Sequence, residues 1–92
     1  PSSIQSILKG DIKVYPNPTS GSILISTNAS ILLKNTEIEI IDILGRSMDK
    51  IHWKTSLDDI NIDMDKYPAG IYHLRILDES NEIIFYNRIV KK

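Results

Sequence analysis

The sequence predicts an all-β domain, a single antiparallel sandwich of about seven short strands. Three observations carry this. Isoleucine occurs 18 times in 92 residues and alanine only twice; Ile is stiff at χ1 and suits a pleated surface, whereas helical domains rely on Ala and Leu. Stretches of period-two alternation recur, separated by turn residues roughly every 8–12 positions. No segment keeps a helical period over three turns. Ile also outnumbers Val, which occurs twice, and an AT-rich genome would produce the same bias. The alternation therefore carries more weight than the composition.

In chain order, residues 1–11 read as a linker closed by Gly10-Asp11, with Ile4, Ile7 and Leu8 spaced for one helical turn at most. Ile12 to Tyr15 alternates as a first strand. Pro16-Asn17-Pro18-Thr19-Ser20-Gly21 follows. Its prolines lack backbone donors, which confines the segment to an edge or a crossing between sheets, and Thr-Ser-Gly is turn chemistry. Ser22 to Thr27 is a second strand with Ile23 and Ile25 on one face. Asn28-Ala29-Ser30 is a turn, and Ile31 to Lys34 is ambiguous.

Glu37 to Ile43 is the clearest strand, with Ile38 and Ile40 opposed to Glu37 and Glu39. Its parity breaks at Ile40-Ile41, which predicts a bulge or a change of face near Asp42. Asp42-Ile43-Leu44-Gly45 carries the preferred ends of a type I turn. Met48 to Lys54 puts Ile51 and Trp53 on a shared face. Asp59 to Asp65 turns Ile60, Ile62 and Met64 inward. Tyr67-Pro68-Ala69-Gly70 is a turn, and Gly70 to Leu77 aligns Tyr72, Leu74 and Ile76. Asp78-Glu79-Ser80-Asn81 closes a hairpin into a last strand, Glu82 to Val90. Seven strands punctuated in this way match an immunoglobulin-like sandwich.

Bulk properties narrow the function. A chain of 92 residues is one domain and buries only roughly 60–65% of its unfolded surface, which leaves little volume for a water-excluded cleft. The net charge of −1 lacks the basic footprint of a nucleic-acid binder. Without cysteine there are no disulfides, thiolate metal sites or Cys nucleophiles. No apolar run approaches the roughly 18 residues of a membrane span. Pro1-Ser2-Ser3-Ile4-Gln5 has neither an initiator Met nor a charged leader, so the chain reads as a piece of a longer protein.

The residues that could carry chemistry have simpler readings. Asp59, Asn61, Asp63 and Asp65 are spaced like a calcium loop, but Met64 and Gly70 stand where an EF-hand needs Gly and Glu. A strand would leave them along a solvated face. His52 and His73 lack ligand-spaced partners, and no nucleophile elbow is present. Trp53 with Tyr15, Tyr67, Tyr72 and Tyr86 could stack sugars, but Trp53 shares the Ile51 face, which reads as core. Tyr72 follows a turn where a sandwich anchors a tyrosine hydroxyl to backbone. Gly45 and Gly70 suit turns needing positive φ or room. Arg46 has two readings, pairing with Asp42 across the turn or contact with a binding partner, and the structural role is favoured.

Several segments together resemble a known family. Val14-Tyr15-Pro16-Asn17-Pro18-Thr19-Ser20-Gly21 is similar to the opening motif of type IX secretion (Por secretion) C-terminal sorting domains. Ile38 to Arg46, containing Asp42, Gly45 and Arg46, resembles the family's central strand and turn. Pro68-Ala69-Gly70-Ile71-Tyr72 and Arg88-Ile89-Val90-Lys91-Lys92 resemble its third motif and its basic-ended final strand. The order is the family's, over roughly residues 14–92. Tyr67 stands where the family often has Leu, an exchange of apolar filler.

The resemblance implies a sorting domain at 12–92 behind a cargo domain. Such domains fold in the periplasm, are recognised by the outer-membrane translocon, and are usually cut off by a surface cysteine peptidase. The cargo then reaches the cell surface or the medium, free or attached to lipopolysaccharide. It implies no enzyme, cofactor, nucleic acid or small-molecule substrate. A carbohydrate-binding module or a passive spacer is the alternative. Arg88, Ile89, Val90, Lys91 and Lys92 are the expected translocon contacts, because a last strand apolar on both sides looks like an open edge for strand addition.

Overall fold

The computed structural model describes residues 12–27, 34–55 and 58–92; the linker at 1–11 and the turn at Asn28-Ala29-Ser30 lie outside them. The strands are β1 (Ile12–Tyr15), β2 (Ser22–Thr27), β3 (Lys34–Asp42), β4 (Ser47–Thr55), β5 (Ile60–Asp63), β6 (Gly70–Leu77) and β7 (Ile83–Lys91). They form a three-stranded sheet, β1-β2-β5, and a four-stranded sheet, β4-β3-β6-β7. All these pairs are antiparallel.

Period-two alternation builds the core. Ile23, Ile25 and Ile62 from the smaller sheet, with Met64 just beyond β5, are buried with Ile38, Ile40, Leu74, Ile76 and Ile89 from the larger one. Trp53 is 1% exposed, and its indole N–H donates to Asp58 O at 2.9 Å. A buried Trp with its donor satisfied is core filler, as Ile51 parity suggests.

Bulges interrupt the larger sheet at two places. The register between β3 and β4 shifts between Ile40 and Ile41. The extra residue is Met48 of β4, because Asp49 faces Ile40 and Ser47 faces Ile41. β3 itself does not change face: it pairs with β6 without interruption from Glu37–Leu77 to Asp42–Tyr72. The second break lies in β7, where Phe85 faces Ile76 and Ile83 faces Leu77. Ile84 is the inserted residue, so Ile84 and Phe85 are both buried. The apolar residues on both parities of the last strand thus reflect a bulge turned into the core.

The expected open edge at the end of β7 is closed. Thr19 forms a parallel bridge with Lys91: its N–H donates to Val90 O at 2.9 Å and its carbonyl accepts from Lys92 N–H at 2.8 Å. Asn17 donates through Nδ2 to Arg88 O at 2.7 Å and accepts from Val90 N–H at 3.0 Å. Sequence reading left the proline segment an edge or a crossing between sheets; it joins β1 to β2 within the smaller sheet and reaches across to the β7 edge of the larger one. What sequence reading missed is that the segment covers the last strand: Pro16 and Pro18 cannot donate, so Asn17 and Thr19 make the bonds.

Candidate recognition surface at one pole of the sandwich

Antiparallel order brings the ends of β1, β3, β5 and β7 to the same pole as the starts of β2, β4 and β6. Asp42, Tyr72 and Ile89 form one row across the larger sheet, with Gly70 paired to Lys91 beyond it. The Thr19–Lys91 bridge joins the proline segment to this row. All the segments that carry the family resemblance therefore meet at this pole, although 71 residues separate Asn17 from Arg88.

Each segment is braced by its own chemistry. The Asp42 carboxylate accepts Leu44 and Arg46 N–H through Oδ1, at 2.9 Å each, and Arg46 Nε through Oδ2 at 2.7 Å. These bonds, led by the Arg46 backbone N–H, hold its carboxyl below the usual range against the opposing effect of burial. Gly45 at φ +86° takes the left-handed position that closes the turn. The expected Asp42–Arg46 pair is present, with the Arg46 side chain 71% exposed. Tyr72 donates its hydroxyl to Pro68 O at 2.6 Å, the anchoring expected of a tyrosine after this turn. Gly70, at φ +156°, starts β6.

Tyr67 is more than filler. Its ring lies 5.5 Å from that of Tyr72, and its hydroxyl donates to Asp49 Oδ2 at 3.3 Å, beside Lys66 Nζ at 2.9 Å. Leu at this position could not make that bond. Lys66 first, then Tyr67, draw the Asp49 carboxyl below its ordinary range. Thr19 Oγ1 donates to Ser22 O at 2.8 Å and accepts Gly21 N–H at 3.1 Å. A Cβ at Gly21 would meet Asp65 Oδ1 at 3.5 Å, an ordinary contact.

Of the expected contact residues, Ile89 is 0% exposed and belongs to the core. Val90 is half-buried, with both backbone groups bonded to Asn17 and Thr19. Arg88 and Lys92 are exposed and Lys91 is half-buried, its Nζ donating to Lys92 O at 3.0 Å; none of the three has a side-chain carboxylate partner among the described residues. Tyr15, Pro16, Asn17 and Pro18 are exposed.

The other candidates scatter. Asp59, Asn61, Asp63 and Asp65 are exposed, and no metal-ligating group forms among the described residues. His52 is exposed, and His73 stacks on Tyr86 with ring centroids 5.7 Å apart. Trp53, Tyr67 and Tyr72 are buried, which leaves Tyr15 and Tyr86 as the exposed aromatics among the described residues.

Residues 13–92 match the family model described as the secretion system C-terminal sorting domain. The chain belongs to this family. It is 29% identical over 86 residues to an endo-acting ulvan lyase of Formosa agariphila, covering 94% of this chain but 16% of that protein. Two solved structures share the fold. An immunoglobulin-like protein of the DUF3244 family from Bacteroides vulgatus aligns with a TM-score of 0.70 at 16% identity, covering 89% of this chain and 85% of the other. PorZ, a surface component of the Porphyromonas gingivalis type IX secretion system, aligns at 0.68 and 18% identity, covering 88% of this chain and 11% of PorZ. The chain is thus a type IX sorting domain with an immunoglobulin-like sandwich, a signal that marks a protein for secretion.

Proposed function

We propose that this sorting domain delivers its address through the pole where the motif segments meet, with Arg88, Lys91 and Lys92 as the side chains the outer-membrane translocon reads. The observation that carries this is the convergence itself. Segments far apart in sequence are bonded together at one end, while Ile12, paired with Thr27, lies at the other. A cargo joined upstream of Ile12 would leave the motif pole facing away from it. In transit the cargo and its signal pass through the periplasm. A surface cysteine peptidase then cuts before the sandwich, and the cargo is released or attached to lipopolysaccharide.

The test is a charge reversal that spares the backbone. A fluorescent protein carrying a signal peptide and residues 1–92 is compared with its R88E/K91E/K92E variant in a host with the type IX apparatus. The variant is expected to melt as the wild type does and to accumulate in the periplasm. Normal export of the variant would move the address elsewhere on the sandwich. Truncation at Ile89 is a poorer probe, because it removes a buried core residue and the bonds to Asn17 and Thr19.

A further inference from the structure

The β3–β4 and β6–β7 hairpins close with the same loop. In the first, Gly45 N–H donates to Asp42 O at 3.0 Å, Asp42 N–H donates to Arg46 O at 2.9 Å, and Asp42 Oδ1 accepts Leu44 and Arg46 N–H. In the second, Asn81 N–H donates to Asp78 O at 3.0 Å, Asp78 N–H donates to Glu82 O at 2.9 Å, and Asp78 Oδ1 accepts Ser80 and Glu82 N–H. Gly45 and Asn81 fill the same left-handed position, at φ 86° and 63°. The tips differ. Ile43-Leu44 occupies the first, 69% and 75% exposed, and Glu79-Ser80 occupies the second, also exposed. The far loop forms with a polar tip, so the loop geometry does not require the apolar pair on the motif pole.

We propose that Ile43 and Leu44 form a second anchor of the export signal, seated in an apolar pocket of a translocon protein whose rim carries carboxylates. The inference rests on the sorting reading above. Exposed aliphatic side chains on a turn already held by Asp42 lose little freedom when they dock, so their burial appears as affinity. The tip joins β3 and β4, two and three strand spacings, roughly 10–15 Å, from β7. There Arg88, Lys91 and Lys92 have no side-chain carboxylate partner among the described residues, Lys91 Nζ donating to Lys92 O, which favours an acidic rim. A second copy meeting this pole across a two-fold axis would set these cations against one another. Two aliphatic side chains are also a weak hold on a bilayer, where even one long acyl chain binds only marginally.

The fold supplies its own control. In the fluorescent fusion, I43E/L44S gives the motif-pole loop the tip of its twin, and E79I/S80L makes the reciprocal change. I43E/L44S is expected to melt at the wild-type temperature while its export falls about tenfold or more; E79I/S80L is expected to export normally. The single variant L44S should lie between wild type and I43E/L44S. Normal export of I43E/L44S would overturn the anchor alone, whereas retention of the wild-type fusion would sink the sorting reading and the anchor with it. Two further outcomes would replace the translocon pocket with another occupant. One is binding of the wild-type chain to phosphatidylglycerol vesicles that I43E/L44S abolishes. The other is a dimer in sedimentation that the same change dissolves.

Discussion

Replacing Asn17 with Ala isolates the contact between the first proline segment and the last strand. The side chain makes two bonds to β7, to Arg88 O at 2.7 Å and from Val90 N–H at 3.0 Å. An intramolecular hydrogen bond contributes a net ~0.5–1.5 kcal/mol. Both bonds are exposed and water can replace them, so the low end applies and the pair is worth about 1 kcal/mol. For a domain of this size that is a drop in Tm of roughly 4–8 °C. Hydrogen exchange localises the effect. Val90 N–H should be protected in the wild type and exchange faster in N17A. Ile89, which faces Tyr72 inside the sheet, should change only as much as global stability does. Asn17→Asp keeps the acceptor for Val90 and loses the donor to Arg88, so Val90 should recover protection there. Equal Val90 exchange in wild type and N17A would refute the account of how this edge is closed.

Other perturbations probe separate parts of the pole. Tyr72→Phe keeps the ring and removes the bond to Pro68 O, which should cost about 1 kcal/mol in urea denaturation. Ile89→Ala empties a fully buried site and should cost ~2–5 kcal/mol, enough to unfold a marginal domain, as a shortened denaturation midpoint or its absence would register. Glu39 is buried, which raises its carboxyl, but bonds from Ser47 and Arg75 outweigh this and leave it lowered; Asp42 and Asp49 are lowered too. Carboxyls depressed in the fold give stability that is present above their unfolded values and lost as pH falls through their folded ones. Melting temperature should therefore fall below the ordinary carboxylate range, and less steeply in E39Q/D49N.

Strand content was legible because Ile38-Glu39-Ile40 and Tyr72-Leu74-Ile76 alternate cleanly, and alternation follows directly from the pleat. The turn at Asp42 and the anchor at Tyr72 were legible because their bonds are local, four residues apart. The edge of β7 was not, because its partner Asn17 lies 71 residues away and no periodicity encodes that contact. The bulge at Ile84 appeared in the sequence as apolar residues on both parities, which cannot distinguish an exposed second face from an inserted residue; the break at Ile40-Ile41 predicted a bulge or a change of face in β3, whereas the extra residue, Met48, lies across from it in β4. The twin loops were readable in principle: an Asp followed three positions later by Gly or Asn occurs at 42–45 and again at 78–81. The comparison of their tips needed the hydrogen bonds. The basic end at Arg88, Lys91 and Lys92 was visible in sequence, but the burial of Ile89 within it was not.

Export of a passenger tests the central claim most directly. A fluorescent protein with a signal peptide and residues 1–92 at its end is expressed in a host with the type IX translocon and in an otherwise identical host without it. Fluorescence is then measured in periplasm, at the cell surface and in medium. The account predicts surface or medium fluorescence in the first host alone and periplasmic retention in the second. Equal surface and medium levels in both hosts would contradict it.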